Sequence, residues 1–221
     1  MAKLYFRYGA MNSGKSTALL QAAHNYEERG LAVLLAKPQV DTKGDSAIES
    51  RLGVSREADI LLGSSEDVLA RIAIERARVR SQTGSDVRCV LVDEAQFLAE
   101  RQVDDLLRLT VADDIPVIAY GIRTDFRTAA FAGSRRLLEV AHEIEELKTM
   151  CRCGRKAIFS ARKLSGRVVF DGDQLAIEGI DANYEPLCAA CYLEESGGRL
   201  GSGWRATTET NTRPEPDADF Q

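Results

Sequence analysis

The sequence predicts an α/β fold, a parallel sheet with flanking helices, followed by a small cysteine-clipped C-terminal unit. Three observations carry this. A glycine-rich turn, Gly9-Ala10-Met11-Asn12-Ser13-Gly14-Lys15-Ser16, stands between a strand-like and a helix-like segment near the N-terminus. Apolar strand-like runs then alternate with helix-like segments, the pattern of a parallel sheet covered on both faces. Two close cysteine pairs stand late in the chain, at 151/153 and 188/191.

In order, residues 3–8 read as a half-apolar strand, and residues 17–23 are good helix formers. The turn between them satisfies G-x-x-x-x-G-K-[ST] at every fixed position, in the context the motif requires. Gly9 and Gly14 allow successive backbone N–H groups to converge on phosphate oxygens, and the helix N-terminus adds partial positive charge. Lys15 would reach the β- and γ-phosphates, and the Ser16 hydroxyl would sit on Mg²⁺. The chain is therefore expected to bind a nucleoside triphosphate.

Glu27-Glu28-Arg29-Gly30 ends the first helix, and residues 32–36 read as a buried strand. Residues 37–58 lack periodicity and read as a long loop, functional or mobile. A strand follows at 59–62, then a helix over 66–80 with Val68, Leu69, Ile72, Ala73 and Ala77 on one stripe. The strand 87–92 runs into Asp93-Glu94, delivering a carboxylate to the sheet edge beside the phosphate loop, where it can hold Mg²⁺. Val103, Leu106, Leu107 and Thr110 mark a helix, residues 116–120 a strand and 135–141 another helix.

The composition changes near residue 148. Two cysteine pairs separated by short strands suit a tetrahedral Zn²⁺ site with four thiolates, Cys151, Cys153, Cys188 and Cys191, as in zinc ribbons. Cys89 lies in a core strand and reads as a small hydrophobe. His24 and His142 read as surface or packed residues. The resulting units are residues 1–148, 149–194 and a disordered tail at 195–221.

The bulk properties agree. The 221 residues carry 44% apolar and 29% charged side chains, ordinary for a soluble globular chain, which with no signal-peptide pattern points to the cytoplasm. No apolar run approaches the ~20 residues of a membrane span. A net charge of −5 argues against a protein devoted to gripping nucleic acid. The alternative, a zinc-ribbon nucleic-acid ATPase, would need Arg152, Arg155, Lys156, Arg162, Lys163 and Arg167 to form an open basic surface.

Five stretches together, residues 9–16, Val92-Asp93-Glu94-Ala95-Gln96-Phe97, Tyr120-Gly121-Ile122-Arg123-Thr124-Asp125-Phe126, residues 146–157 and residues 184–191, resemble the type II thymidine kinase family. The resemblance spans the first strand to Cys191. It implies an ATP- and Mg²⁺-dependent deoxynucleoside kinase with structural Zn²⁺, acting on thymidine and also on deoxyuridine. It further implies a homotetramer inhibited by thymidine triphosphate, with neither nucleic acid nor membrane as partner. Glu94 becomes the general base. The nucleotide-contacting set is Gly9, Ala10, Met11, Asn12, Ser13, Gly14, Lys15 and Ser16 with Asp93, Glu94, Ala95 and Gln96. The nucleoside positions are Met11, Gln96, Phe97, Ile122, Phe126, Phe131, Ile177, Gly179 and Tyr184. The last three fit a lasso-like loop over 164–184, anchored on the zinc clip, that closes on the base. Two departures stand out: Gly179-Ile180 where the family has two glycines, and Lys43 where it has an arginine. The extra phosphate-side cation is then Lys43 or Arg51.

Overall fold

Alternating side chains on six parallel strands divide the core between two helical layers. A computed structural model describes residues 1–39, 46–170, 172, 174 and 182–202. The strands are β1 (Leu4–Tyr8), β2 (Ala32–Pro38), β5 (Ile60–Leu62), β6 (Val87–Val92), β7 (Val117–Gly121) and β8 (Glu143–Glu146). Their order across the sheet is β5-β2-β6-β7-β1-β8, every neighbouring pair parallel.

Helix α1 (Lys15–Glu27) covers one face, burying Leu19, Leu20 and Ala23 against Val33, Leu35, Cys89, Leu91 and Tyr120. Helices α2 (Val68–Thr83), α3 (Glu100–Ala112) and α4 (Ala132–Val140) cover the other, packed on Phe6, Leu34, Val90, Val92 and Ala119. Successive strand residues point to opposite faces, which is why Leu34 and Leu35 belong to different layers.

Residues 46–57, expected as part of a loop, contain an antiparallel hairpin, β3 (Ala47–Glu49) and β4 (Ser55–Glu57). Only Ile48 of its strands is buried, so no apolar alternation announced it. Strand β8 was also unforeseen; its sequence, EIEE, is polar because it pairs only with β1 at the sheet edge. Helix α4 starts at Ala132, ahead of the expected 135, because Gly133 is helical. Cys89 is wholly buried as expected, and burial pushes its thiol up to about 11.

The C-terminal unit comprises β9 (Thr149–Met150) paired with β10 (Lys156–Ala157), then a sheet of order β12-β11-β13. Its strands are β11 (Phe159–Leu164), β12 (Arg167–Val169) and β13 (Ala182–Leu187). Helix α5 (Ala189–Glu195) follows. The boundary expected at residue 194 falls inside α5, and the chain beyond it is tied back: Gly201 N donates to Thr128 Oγ1 at 3.0 Å. The remainder of the expected tail, 203–221, lies outside the described residues, as do Lys43, Ile177 and Gly179.

Candidate active site

The phosphate-loop motif forms the turn from β1 into α1. Asn12 and Gly14 take left-handed φ values of 67° and 78°, which bend the loop around its own amides. No side chain caps α1, so its N-terminal dipole faces the loop. The Lys15 ammonium is buried and donates to Ala10 O at 3.1 Å and Gly9 O at 3.5 Å. Desolvation lowers its pKa, against the pull of Glu94 and Asp93.

Strand β6 delivers Asp93 beneath the loop, where Ser16 Oγ donates to Asp93 Oδ2 at 3.2 Å. Asp93 is only 4% exposed. Burial first, and then the Glu94 charge, push its carboxyl up to about 6. Its Oδ1 is buried without a protein partner. A hydroxyl beside a buried, half-satisfied carboxylate is the hard-oxygen donor set that suits Mg²⁺, so these two residues fit that ion.

Glu94 leaves the strand with φ 49° and ψ 36°, a conformation that costs about 1 kcal/mol or more for a residue with a side chain. A short 3₁₀ turn, Ala95–Phe97, follows. Gln96 fixes the carboxylate from that turn. Its Oε1 accepts from Ile122 N at 3.1 Å, which orients the amide so that Nε2 donates to Glu94 Oε2.

Two cavities meet here. One, of about 420 Å³, is lined by Met11, Asn12, Gly14, Lys15, Ser16 and Thr17 with Arg51 and Leu52 of the β3–β4 hairpin. The other, of about 180 Å³, is walled by Gln96, Phe97, Ile122, Phe126, Phe131 and Tyr184. Met11 and Glu94 line both. The second cavity is chiefly aromatic and apolar, and Phe97 and Phe131 meet edge to face at 5.4 Å. Such walls suit a flat heterocycle.

Every described residue expected around the nucleoside lines this cavity. Of the expected nucleotide set, Met11, Asn12, Gly14, Lys15, Ser16 and Glu94 line the first cavity and Gln96 the second, whereas Gly9, Ala10, Ser13, Asp93 and Ala95 line neither. Ala95 is wholly buried in the core, where the 3₁₀ turn directs it inward. Thr124, Asp125, Ser160 and Gln174 also line the second cavity and were not anticipated. Asp125 is saturated by its own loop, accepting from Arg127 N and Ala129 N at 2.9 Å each. Ser160 Oγ accepts from Met11 N at 3.0 Å, tying the phosphate loop to β11.

The four expected cysteines converge, their sulfurs all within 4.8 Å of one another. Tetrahedral Zn–S bonds of about 2.3 Å place sulfurs about 3.8 Å apart. The cluster therefore fits Zn²⁺ with the short Cys-x-Cys spacing in place, and the chain turns left-handed at Gly154 just after the pair. The basic residues beside it are largely paired. Arg152 bonds Glu185 and Glu195, Lys156 bonds Glu146 and Lys163 bonds Glu185. Arg162 is buried. Ion pairing of this kind counts against the open basic face a nucleic-acid ATPase would need.

A phosphate loop, a metal-type carboxylate at Asp93 and a second, aromatic cavity that shares Glu94 with the phosphate-loop cavity define a P-loop kinase. Comparison with known proteins narrows this. The family model described as "Thymidine kinase" matches residues 2–192, and the chain belongs to that family. It is 46% identical to the thymidine kinase of Ruegeria pomeroyi over 200 residues, covering 89% of this chain and 96% of that one. It is 48% identical over 199 residues to that of Idiomarina loihiensis, covering 89% and 99%. It is 45% identical over 197 residues to that of Enterobacteria phage T4, covering 88% and 97%.

Proposed function

We infer that this chain transfers the γ-phosphate of ATP to the 5′-hydroxyl of thymidine, giving dTMP and ADP, with deoxyuridine as a second acceptor. The observation that carries the reading is the shared wall: Glu94 and Met11 line both the phosphate-loop cavity and the aromatic cavity. Donor phosphate and acceptor hydroxyl can thereby approach across one carboxylate, so that positioning supplies much of the catalysis.

The loop amides and Lys15 hold the triphosphate and neutralise charge that develops on it. Ser16 and Asp93 would hold Mg²⁺, which supplies further neutralisation of the phosphates. Glu94 takes the 5′-hydroxyl proton, and Gln96 keeps its carboxylate turned toward the acceptor. Phe97, Ile122, Phe126, Phe131 and Tyr184 enclose the base and exclude water. The family resemblance adds Ile177 and Gly179 to the same nucleoside set. The cysteine cluster, with Zn²⁺, joins the β9–β10 ribbon to α5 and so anchors the lasso strands. Thymidine triphosphate, offering its base to one cavity and its phosphates to the other, acts as feedback inhibitor of a cytoplasmic homotetramer.

The test is Glu94→Gln, which keeps shape and hydrogen bonding while removing the base. Thymidine turnover should fall about 100-fold or more with ATP affinity nearly intact. Normal turnover would remove Glu94 from this role.

A further inference from the structure

Behind the aromatic wall stands a buried cation that the reaction chemistry leaves unused. Arg162 lies in mid β11, opposite Val169 of β12 and Tyr184 of β13, and is only 6% exposed. Its guanidinium carbon sits 3.8 Å from the centroid of the Phe126 ring. Its Nε donates to the Tyr184 hydroxyl at 2.9 Å, and a terminal nitrogen donates to Gln174 O at 3.3 Å. Phe126, Tyr184 and Gln174 all line the aromatic cavity, whereas Arg162 is not among its lining residues. The guanidinium therefore stands on the far side of the wall and touches three separate chain segments that form it.

We propose that Arg162 is a positioning residue for nucleoside recognition, holding the Phe126 ring and the Tyr184 hydroxyl in the orientation that receives the pyrimidine. This rests on the thymidine kinase reading of the same cavity. Burying a guanidinium is costly unless its planar donors and its face are all used, and a methionine would fill the same volume without that cost. What the arginine adds is direction. Stacking fixes the ring plane of Phe126, whose backbone carbonyl is separately held by Tyr192 Oη at 2.6 Å. The Nε–H···O bond fixes the rotation of Tyr184, and the bond to Gln174 O gives the same support to a second residue of the 164–184 stretch that lines the cavity. A cavity of about 180 Å³ leaves little room for a tilted ring. Loss of that orientation weakens acceptor binding while leaving Lys15, Ser16, Asp93 and Glu94, on the far elements, in place.

The experiment is steady-state kinetics on the full chain with Arg162→Met, Arg162→Lys, Tyr184→Phe and the Arg162→Met/Tyr184→Phe double variant. Losing a charge-assisted bond together with the stacking should raise KM for thymidine about 10- to 100-fold. The value of kcat at saturating thymidine and KM for ATP should stay within about 2-fold. Arg162→Lys keeps the charge but not the planar fork, so it should rescue KM only in part. The double variant should be no worse than Arg162→Met alone, because both substitutions remove the same bond. An active wild type with unchanged thymidine KM in Arg162→Met overturns the proposal, as does an equal loss of kcat and ATP affinity. If Arg162→Met does not fold, an unaltered thymidine KM in both Arg162→Lys and Tyr184→Phe overturns it. A wild type that does not phosphorylate thymidine refutes the underlying reading instead.

Discussion

Asp93 should be a residue whose removal stabilises the metal-free protein while disabling it. Its carboxyl is pushed up to about 6 from an ordinary 3.8, by burial first and by Glu94 second. Because the folded pKa exceeds the unfolded one, the folded state holds the proton more tightly, and stability declines as pH rises from about 4 through about 6. At 1.36 kcal/mol per pH unit the difference corresponds to roughly 3 kcal/mol lost by pH 7. Asp93→Asn removes that loss and keeps an acceptor for Ser16 Oγ. It also places an amide donor where Oδ1 has no partner, which costs about 1 kcal/mol or more. The expected net gain at pH 7.5 in EDTA is about 1–2 kcal/mol, a rise in Tm of about 2–8 °C for a chain of this size. Thermal melts of both proteins between pH 4 and 8 provide the assay, with the advantage of the variant shrinking to nothing or reversing near pH 4. Mg²⁺ with ATP should then stabilise the wild type, by about 2.7 kcal/mol at a hundred times the dissociation constant, and the variant far less. Parallel Tm curves for the two proteins across this pH range in EDTA would refute the reasoning.

Gly133→Ala would place a Cβ 2.5 Å from Ala95 O and 2.7 Å from Leu98 O, so α4 must move away from the 3₁₀ turn that carries Gln96. A loss of about 2 kcal/mol or more, read as a lower Tm, should accompany a reduced kcat; an unchanged melt would contradict that packing. Arg51→Gln should raise KM for ATP several-fold and leave KM for thymidine alone, since Arg51 lines only the phosphate-loop cavity. Unaltered ATP kinetics would move the second cation to another residue. Elemental analysis should find about one zinc per chain, lost in Cys188→Ser with a fall in Tm and retained in Cys89→Ser. Equal zinc content in the two variants would exclude the four-thiolate site.

The parts legible in the sequence were those whose chemistry is local. Residues 89–92 of β6 alternate between the two core layers and lead into two carboxylates, so strand, edge and donor could be read together. The phosphate loop carries its own glycines, lysine and hydroxyl within eight residues. What escaped depended on distant partners. Strand β8 exists because β1 offers it a hydrogen-bonding edge and because Lys3, Arg7 and Lys156 neutralise its glutamates. Arg162 read as one more charge in a basic stretch, since nothing local distinguishes a solvated arginine from one laid on Phe126, 36 positions away in the chain.

The same contrast explains how two adjacent carboxylates can serve different ends. Asp93 still belongs to the sheet, its N–H donating to Ala36 O at 2.9 Å, so its side chain is pinned under Ser16 in a buried position. One residue later the backbone turns left-handed, and Glu94 swings out between the two cavities. Alternation along an extended strand would have sent residue 94 into the opposite core layer. The turn prevents that, and it holds because Gln96 is anchored to Ile122 N on the neighbouring β7 segment and because α4 approaches the 3₁₀ turn closely enough to require glycine at 133. The strain at Glu94 is thus opposed by contacts from two other elements. Sequence supplies the pair of carboxylates, but the burial of Asp93 under Ser16 and the placing of Glu94 between the two cavities are properties of the folded neighbourhood.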